Sequence, residues 1–158
     1  MWEIFQLIQD SALATSLRAS RWVYPLVNAA HIAGLALLFG AIVPMDLRLA
    51  GAWRSRVSVQ GLARVLLPVA ISGLVLTLIT GALLFSVAAV RYAEMGLFQL
   101  KMALLLAALV NALLLNRAAR SWVEEDQRAE PLSFKLASVL SIAIWTAIIL
   151  CGRLIAYF

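Results

Sequence analysis

The stretch WVYPLVNAAHIAGLALLFGAIVP, Trp22 to Pro44, decides the fold. It carries no Asp, Glu, Lys or Arg. At about 1.5 Å of rise per residue, a helix of this length exceeds the ~30 Å hydrocarbon core of a bilayer. Inside it stands His31, the only histidine of the chain. A titratable, metal-competent side chain at membrane depth is costly to place, so His31 is the first candidate functional residue.

Composition agrees with a membrane setting. Of 158 residues, 64% are hydrophobic and 13% charged, and the mean hydropathy is +0.96. Soluble domains run at about 45–50% apolar and about 25% charged. A chain this short cannot bury the excess in a water-soluble core. One domain spanning 1–158 is expected. The net charge of +5 sits in residues that flank apolar runs. Topology and lipid headgroups explain it better than nucleic acid does.

Working outward from the first span, three more follow at about 62–90, 97–117 and 136–157, beside the first at 22–44. Short connections make neighbouring helices antiparallel, so an all-α integral membrane four-helix up-down bundle is expected. Before it, residues 2–18 place Trp2, Phe5 and Ile8 three apart, with Glu3 and Gln6 off that stripe. This predicts a short amphipathic helix lying on the membrane surface, or docking a partner. The first 20 residues lack the apolar region of a secretory signal, so the first span is expected to be its own insertion signal.

Basic residues set the orientation. Arg48, Arg54, Arg56 and Arg64 follow the first span, and Arg117, Arg120, Arg128 and Lys135 follow the third. The other side holds Arg18, Arg21, Arg91 and Arg153. Eight against four puts both Arg-rich loops in the cytoplasm and both termini outside. The acids Glu124, Glu125 and Asp126 count little in this rule. Trp22, Tyr24, Tyr92 and Tyr157 would mark the outer interface, and Trp53 and Trp122 the inner one.

Small residues recur at helical spacing: Ala30 and Gly34, then Gly73, Thr77 and Gly81, then Ala103, Ala107 and Asn111. Such faces let membrane helices approach closely, within a bundle or a homo-oligomer. Cys151 is the single cysteine, excludes an intrachain disulfide, and reads as a small packing residue.

Polar residues gather in the outer half of this frame. His31 lies about 14 Å along the first helix, with Asn28 one turn above it. Lys101 lies early in the third helix, and Arg153 lies five residues before the C-terminus. Two cations near an imidazole could hold an anionic group, with His31 as metal ligand or proton carrier. The plainer reading is that Lys101 and Arg153 snorkel to headgroups while His31 and Asn28 hydrogen-bond between helices. Asp46 and Arg48, just after Pro44, are expected to fix the turn or pair with another loop. Trp145 lies deep in the fourth helix, either packed or stacked on a flat cofactor.

Several chemistries are excluded. The chain has no histidine pair for a bis-histidine haem and no His/Cys cluster for a structural metal. It has no HExxH, no P-loop and no Ser/His/Asp set. No acid lies deep in a span, as a proton-driven transporter would need.

The segments SLRASRWVYPLVNAAHIAGLALLFGAIVPMDLRLAG, FQLKMALLLAALVNALLLNR and WTAIILCGRLIAYF together resemble an uncharacterised bacterial four-helix inner-membrane family, a domain of unknown function. That resemblance implies a location in the bacterial inner membrane and no activity. The order of His31, then ARVLLPVAISGLVLTLITGALL, then LKMALLLAAL is more weakly similar to the oxygen-independent protoporphyrinogen oxidase family, and more loosely to copper-resistance D-type membrane proteins. In the oxidase family a first-helix histidine and a third-helix lysine are functional and a b-type haem is bound. His31 and Lys101 occupy those places. Asn111 stands roughly where that family has a further histidine.

Three functions are left open. The first is a haem b- or tetrapyrrole-associated redox or accessory protein. In it His31 is the iron ligand, Lys101 and Arg153 face propionates, and Asn28 and Trp145 support; Met102, Met95 or a partner chain would supply any second ligand. The second is a non-catalytic subunit of a larger membrane complex. The third is metal-ion or small-solute passage through a homo-oligomer.

Overall fold

A computed structural model of the chain describes residues 2–124 and 131–157, with side chains as far as residue 119 before the second gap. The side chains of Arg120, Trp122, Glu124, Glu125, Asp126 and Arg128 lie outside the described ones. Among the described residues every regular element is helical: α1 (Trp2–Gln9), α2 (Ala12–Ala19), α3 (Val23–Leu49), α4 (Val59–Val87), α5 (Ala89–Glu94), α6 (Gly96–Glu124) and α7 (Leu132–Leu154). Four of these, α3, α4, α6 and α7, are long and apolar enough to cross a membrane. The protein is an all-α four-helix bundle of the multi-pass membrane class.

The bundle is apolar on its outside. Leu26, Ile32, Val65, Ile79, Leu106 and Leu136 are all more than half exposed. In water that surface would drive aggregation, whereas lipid covers it without cost. The interior is narrow. Leu38, Ala41, Ile42, Ala70, Ala108, Trp145 and Ile148 form its main cluster. Their spacing of three and four residues on α3 and α7 is that of left-handed helix packing.

α3 and α4 form the tightest pair. A methyl group on Gly73 would come within 2.6 Å of the Leu38 nitrogen, and one on Gly34 within 2.6 Å of the Thr77 hydroxyl. Two backbones therefore touch at the small-residue ladders of the first two spans, which are used within the bundle. On α6 the ladder behaves differently: Ala103 and Ala107 are exposed and Ala108 is buried instead. α3 also packs on α7, and α7 on α6. Among the described residues α4 and α6 hardly approach each other. A cleft therefore runs between them, floored by α3 and α7.

α3 does not stop at Pro44. It continues to Leu49, and Asp46 and Arg48 are buried at 5% and 6% exposure. Pro44 deprives only the Gly40 carbonyl of its donor, a loss that membrane helices tolerate. The expected turn comes later, at Gly51 and Trp53, which take φ of 109° and 54°. The Arg48 Nε donates to the Val57 carbonyl and ties that turn back to the helix.

The amino-terminal stretch is two helices rather than one. Ser11 breaks it, accepting from the Ala14 N–H at 3.3 Å as the N-cap of α2. Both pieces dock on the bundle itself. Arg18 donates to the carbonyls of Gln9 at 2.7 Å and Val87 at 3.1 Å. The Val90 N–H donates to the Gln9 side chain at 3.2 Å. Phe5 meets Phe85 edge-on with ring centres 6.1 Å apart. These helices and α5 close the end of the bundle that carries both termini, here the terminal end. The opposite, loop end carries the α3–α4 and α6–α7 connections.

Candidate functional site

Two cavities lie along the cleft, one above the other, and Leu38, Leu74 and Trp145 line both. The cavity nearer the terminal end, of about 360 Å³, holds the sequence candidates. His31 enters from α3, Lys101 and Met102 from α6, and Trp145 and Ile148 from α7. Phe85 and Phe98, stacked with ring centres 5.2 Å apart, close it toward the terminal end. The volume lies at the lower end of the range of small-molecule pockets, about 300–1,000 Å³.

The geometry puts a hydrogen on His31 Nδ1. Nδ1 lies 3.1 Å from the Thr77 carbonyl and 3.0 Å from the Thr80 hydroxyl oxygen. A carbonyl only accepts. The Thr80 hydroxyl spends its hydrogen on the Leu76 carbonyl at 2.6 Å, so toward His31 it also accepts. Nδ1 must therefore carry the hydrogen and donate. In the neutral ring Nε2, across from it, holds the lone pair, and it has no hydrogen-bond partner among the described residues. An Nδ1–H donor to a carbonyl with a free Nε2 is the arrangement of a metal-ligating histidine. Gly81 makes room for the ring: a methyl group there would come within 3.1 Å of Cε1.

Lys101 supplies charge. Its ammonium rests beside Gly152, where a methyl group would sit 3.3 Å from Nζ. Among the described residues no acid pairs with it, in a cavity whose other walls are largely apolar. An anionic partner is favoured, on general grounds, for an unpaired ammonium in such a place.

The other sequence candidates are not brought here. Arg153 is exposed and turns to Tyr157, donating to its hydroxyl at 3.1 Å and lying 5.2 Å from its ring centre. Asn28 is exposed on α3 and does not line the cavity. Asn111 donates to the Ala137 carbonyl at 3.2 Å and joins α6 to α7. Cys151 is buried, as a packing residue would be.

Sequence reasoning missed Thr77, Thr80, Gly81 and Gly152 as partners of the site. Thr77 and Gly81 had been read only as packing residues. The available signal was two hydroxyl residues, three apart, opposite a histidine in a neighbouring span. It also missed the second cavity, of about 320 Å³, where Asp46, Ser141 and Asn116 join Trp145.

The chain matches no protein-family model, no curated protein and no solved structure. Fold and site define a multi-pass membrane protein with a ligand-sized cleft, and they carry the functional argument alone.

Proposed function

We propose that the chain binds a b-type haem or a related metal-bearing tetrapyrrole in the terminal-end cavity, as a membrane redox or accessory protein. The observation that carries this reading is the His31 ring, held through Nδ1 with Nε2 bare, in one cavity with an unpaired Lys101. Among the described residues no three His, Cys, Asp or Glu come together. A bare transition-metal ion asks for three or four protein donors, whereas a macrocycle brings its own and needs only an axial one. His31 would be that donor, and Met102 lines the same cavity.

Each side chain then has a task. Thr77 and Thr80 hold the imidazole in one tautomer and orientation. Lys101 pairs with a carboxylate on the rim of the ring system. Phe85, Phe98 and Trp145 offer flat apolar faces. When bound, the group would supply one-electron chemistry at its metal. Arg153 would reach a second carboxylate only by leaving Tyr157.

The test is the absorbance spectrum of protein purified in mild detergent from cells with ample haem. An intense Soret band is expected in the wild type and in Met45→Leu, and none in His31→Ala. A colourless, stable wild type would sink the reading.

A second reading, a subunit of a homo-oligomer or larger membrane complex, is supported by the exposed Ala103 and Ala107 on α6. Native mass spectrometry separates the two, since it reads oligomer and cofactor mass together. For location we propose the bacterial inner membrane with the loop end cytoplasmic, on the excess of Arg at that end. An impermeant maleimide applied to intact spheroplasts should label Ser20→Cys and spare Arg54→Cys.

A further inference from the structure

The loop-end cavity carries two buried polar atoms with no partner and opposite hydrogen-bonding sense. Oδ2 of Asp46 is an unmatched acceptor, and Nε1–H of Trp145 is an unmatched donor. The two residues are 5% and 2% exposed. The Ser141 side chain hydrogen-bonds Asp46, and Trp145 follows Ser141 by four residues on α7, one turn along the same face. All three line the cavity, whose remaining walls are mainly Leu, Ile, Val and Ala from all four spanning helices.

Buried polar groups are nearly always satisfied, and each exception calls for an explanation. An indole N–H can only donate, and an ionised carboxylate can only accept. Neither atom is matched by the other. With Asp46 ionised, a single hydroxyl group could match both, its hydrogen going to Asp46 and its oxygen accepting from Trp145. The apolar walls would hold the rest of such a molecule, and the poorly packed α4–α6 edge gives it a way in from lipid. A carboxylate ligand would place like charge against Asp46, and Arg48 on the same wall already donates to the Val57 carbonyl. A hydrocarbon would leave both atoms unmatched.

We infer that the loop-end cavity is a second binding site, for a lipophilic molecule whose polar end is a hydroxyl, an alcohol or a phenol. It does not depend on His31 or on the occupant of the terminal-end cavity. Trp145 lines both cavities.

The probes are 4-pentylphenol and its methyl ether, 4-pentylanisole, titrated into the full chain in nanodiscs against protein-free nanodiscs. The ether can accept from Trp145 but has nothing to donate to Asp46. Saturable binding of the phenol is expected, with the ether weaker by about tenfold or more, as loss of a hydrogen bond to a charged acceptor implies. Trp145→Phe should weaken both probes by about fivefold or more, and its melting temperature should stay within a few degrees because it removes an unmatched donor. Equal binding of phenol and ether would overturn the inference, since a bridging water or plain partitioning then accounts for the two atoms. So would an absence of saturable binding, or Trp145→Phe protein that is folded and binds the phenol as the wild type does.

Discussion

The two cavities share a cleft and a tryptophan, and residues of each leave a buried polar atom unmatched, Thr77 Oγ1 in one and Asp46 Oδ2 in the other, yet they hold His31 and Asp46 in opposite ways. Toward the terminal end, the His31 Nδ1 has two acceptors, and the ring has a glycine notch to sit in. Toward the loop end, Asp46 keeps one oxygen bonded through Ser141 and leaves the other unmatched, as is the Trp145 N–H. The first site is preorganised around one lone pair. The second holds unmet hydrogen bonds that a ligand can meet. In a medium without water, orientation comes from satisfied groups and affinity from unsatisfied ones.

The largest expected effect falls where the two regions share structure. Gly73→Val would drive side-chain atoms into the α3 backbone, and overpacking of that kind costs about 3 kcal/mol. The unfolding midpoint in detergent should fall sharply, and both sites should be lost. Gly40→Ala, with nothing within 4 Å of its added carbon, is the control and should leave the midpoint unchanged or raised.

The next two substitutions separate the cavities. Ser141→Ala removes a partner of a buried carboxylate and should cost about 1–3 kcal/mol while leaving any haem spectrum as it was. Thr80→Val removes one of two acceptors at Nδ1. Ligand-orienting partners of this sort are worth about 10–100-fold in metal affinity. Pigment affinity should drop toward that range, Thr80→Ser should restore it, and phenol binding should not change. If Ser141→Ala altered the spectrum as much as Thr80→Val, the two cavities would be one site.

The smallest effect is expected for Asn28→Ala, whose side chain is exposed and outside both cavities. Pigment affinity should stay within about twofold, a change below ~0.5 kcal/mol, as for surface substitutions in general. A tenfold loss would bring Asn28 back into the site.

Much of the fold was legible because lipid imposes blunt rules. Length and hydropathy gave the four crossings. The small residues of α3 and α4 marked faces fit for close approach but did not say that these two helices would meet. Pro44 misled about one boundary, because a proline reads as a stop where a membrane helix can absorb it. The depth of His31 and Lys101 followed from counting along helices. Their shared cavity did not, because α3 is apolar on all sides and shows no face to lipid or neighbour. On α7 the buried positions Phe134, Ser138, Ser141, Trp145 and Ile148 step by three and four. The next buried position, Cys151, continues that step and leaves Arg153 two positions past it, turned toward Tyr157. Only helix faces, known after folding, separate Lys101 from Arg153.

The central claim is that His31 holds a metal-bearing ring system through Nε2, and free imidazole tests it most directly. His31→Ala protein, reconstituted with haem in detergent, should lack the wild-type Soret position and regain it on titration with imidazole, which fills the vacated ring space beside Gly81. A His31→Ala spectrum identical to the wild type, or one that imidazole leaves unaltered, would contradict the account.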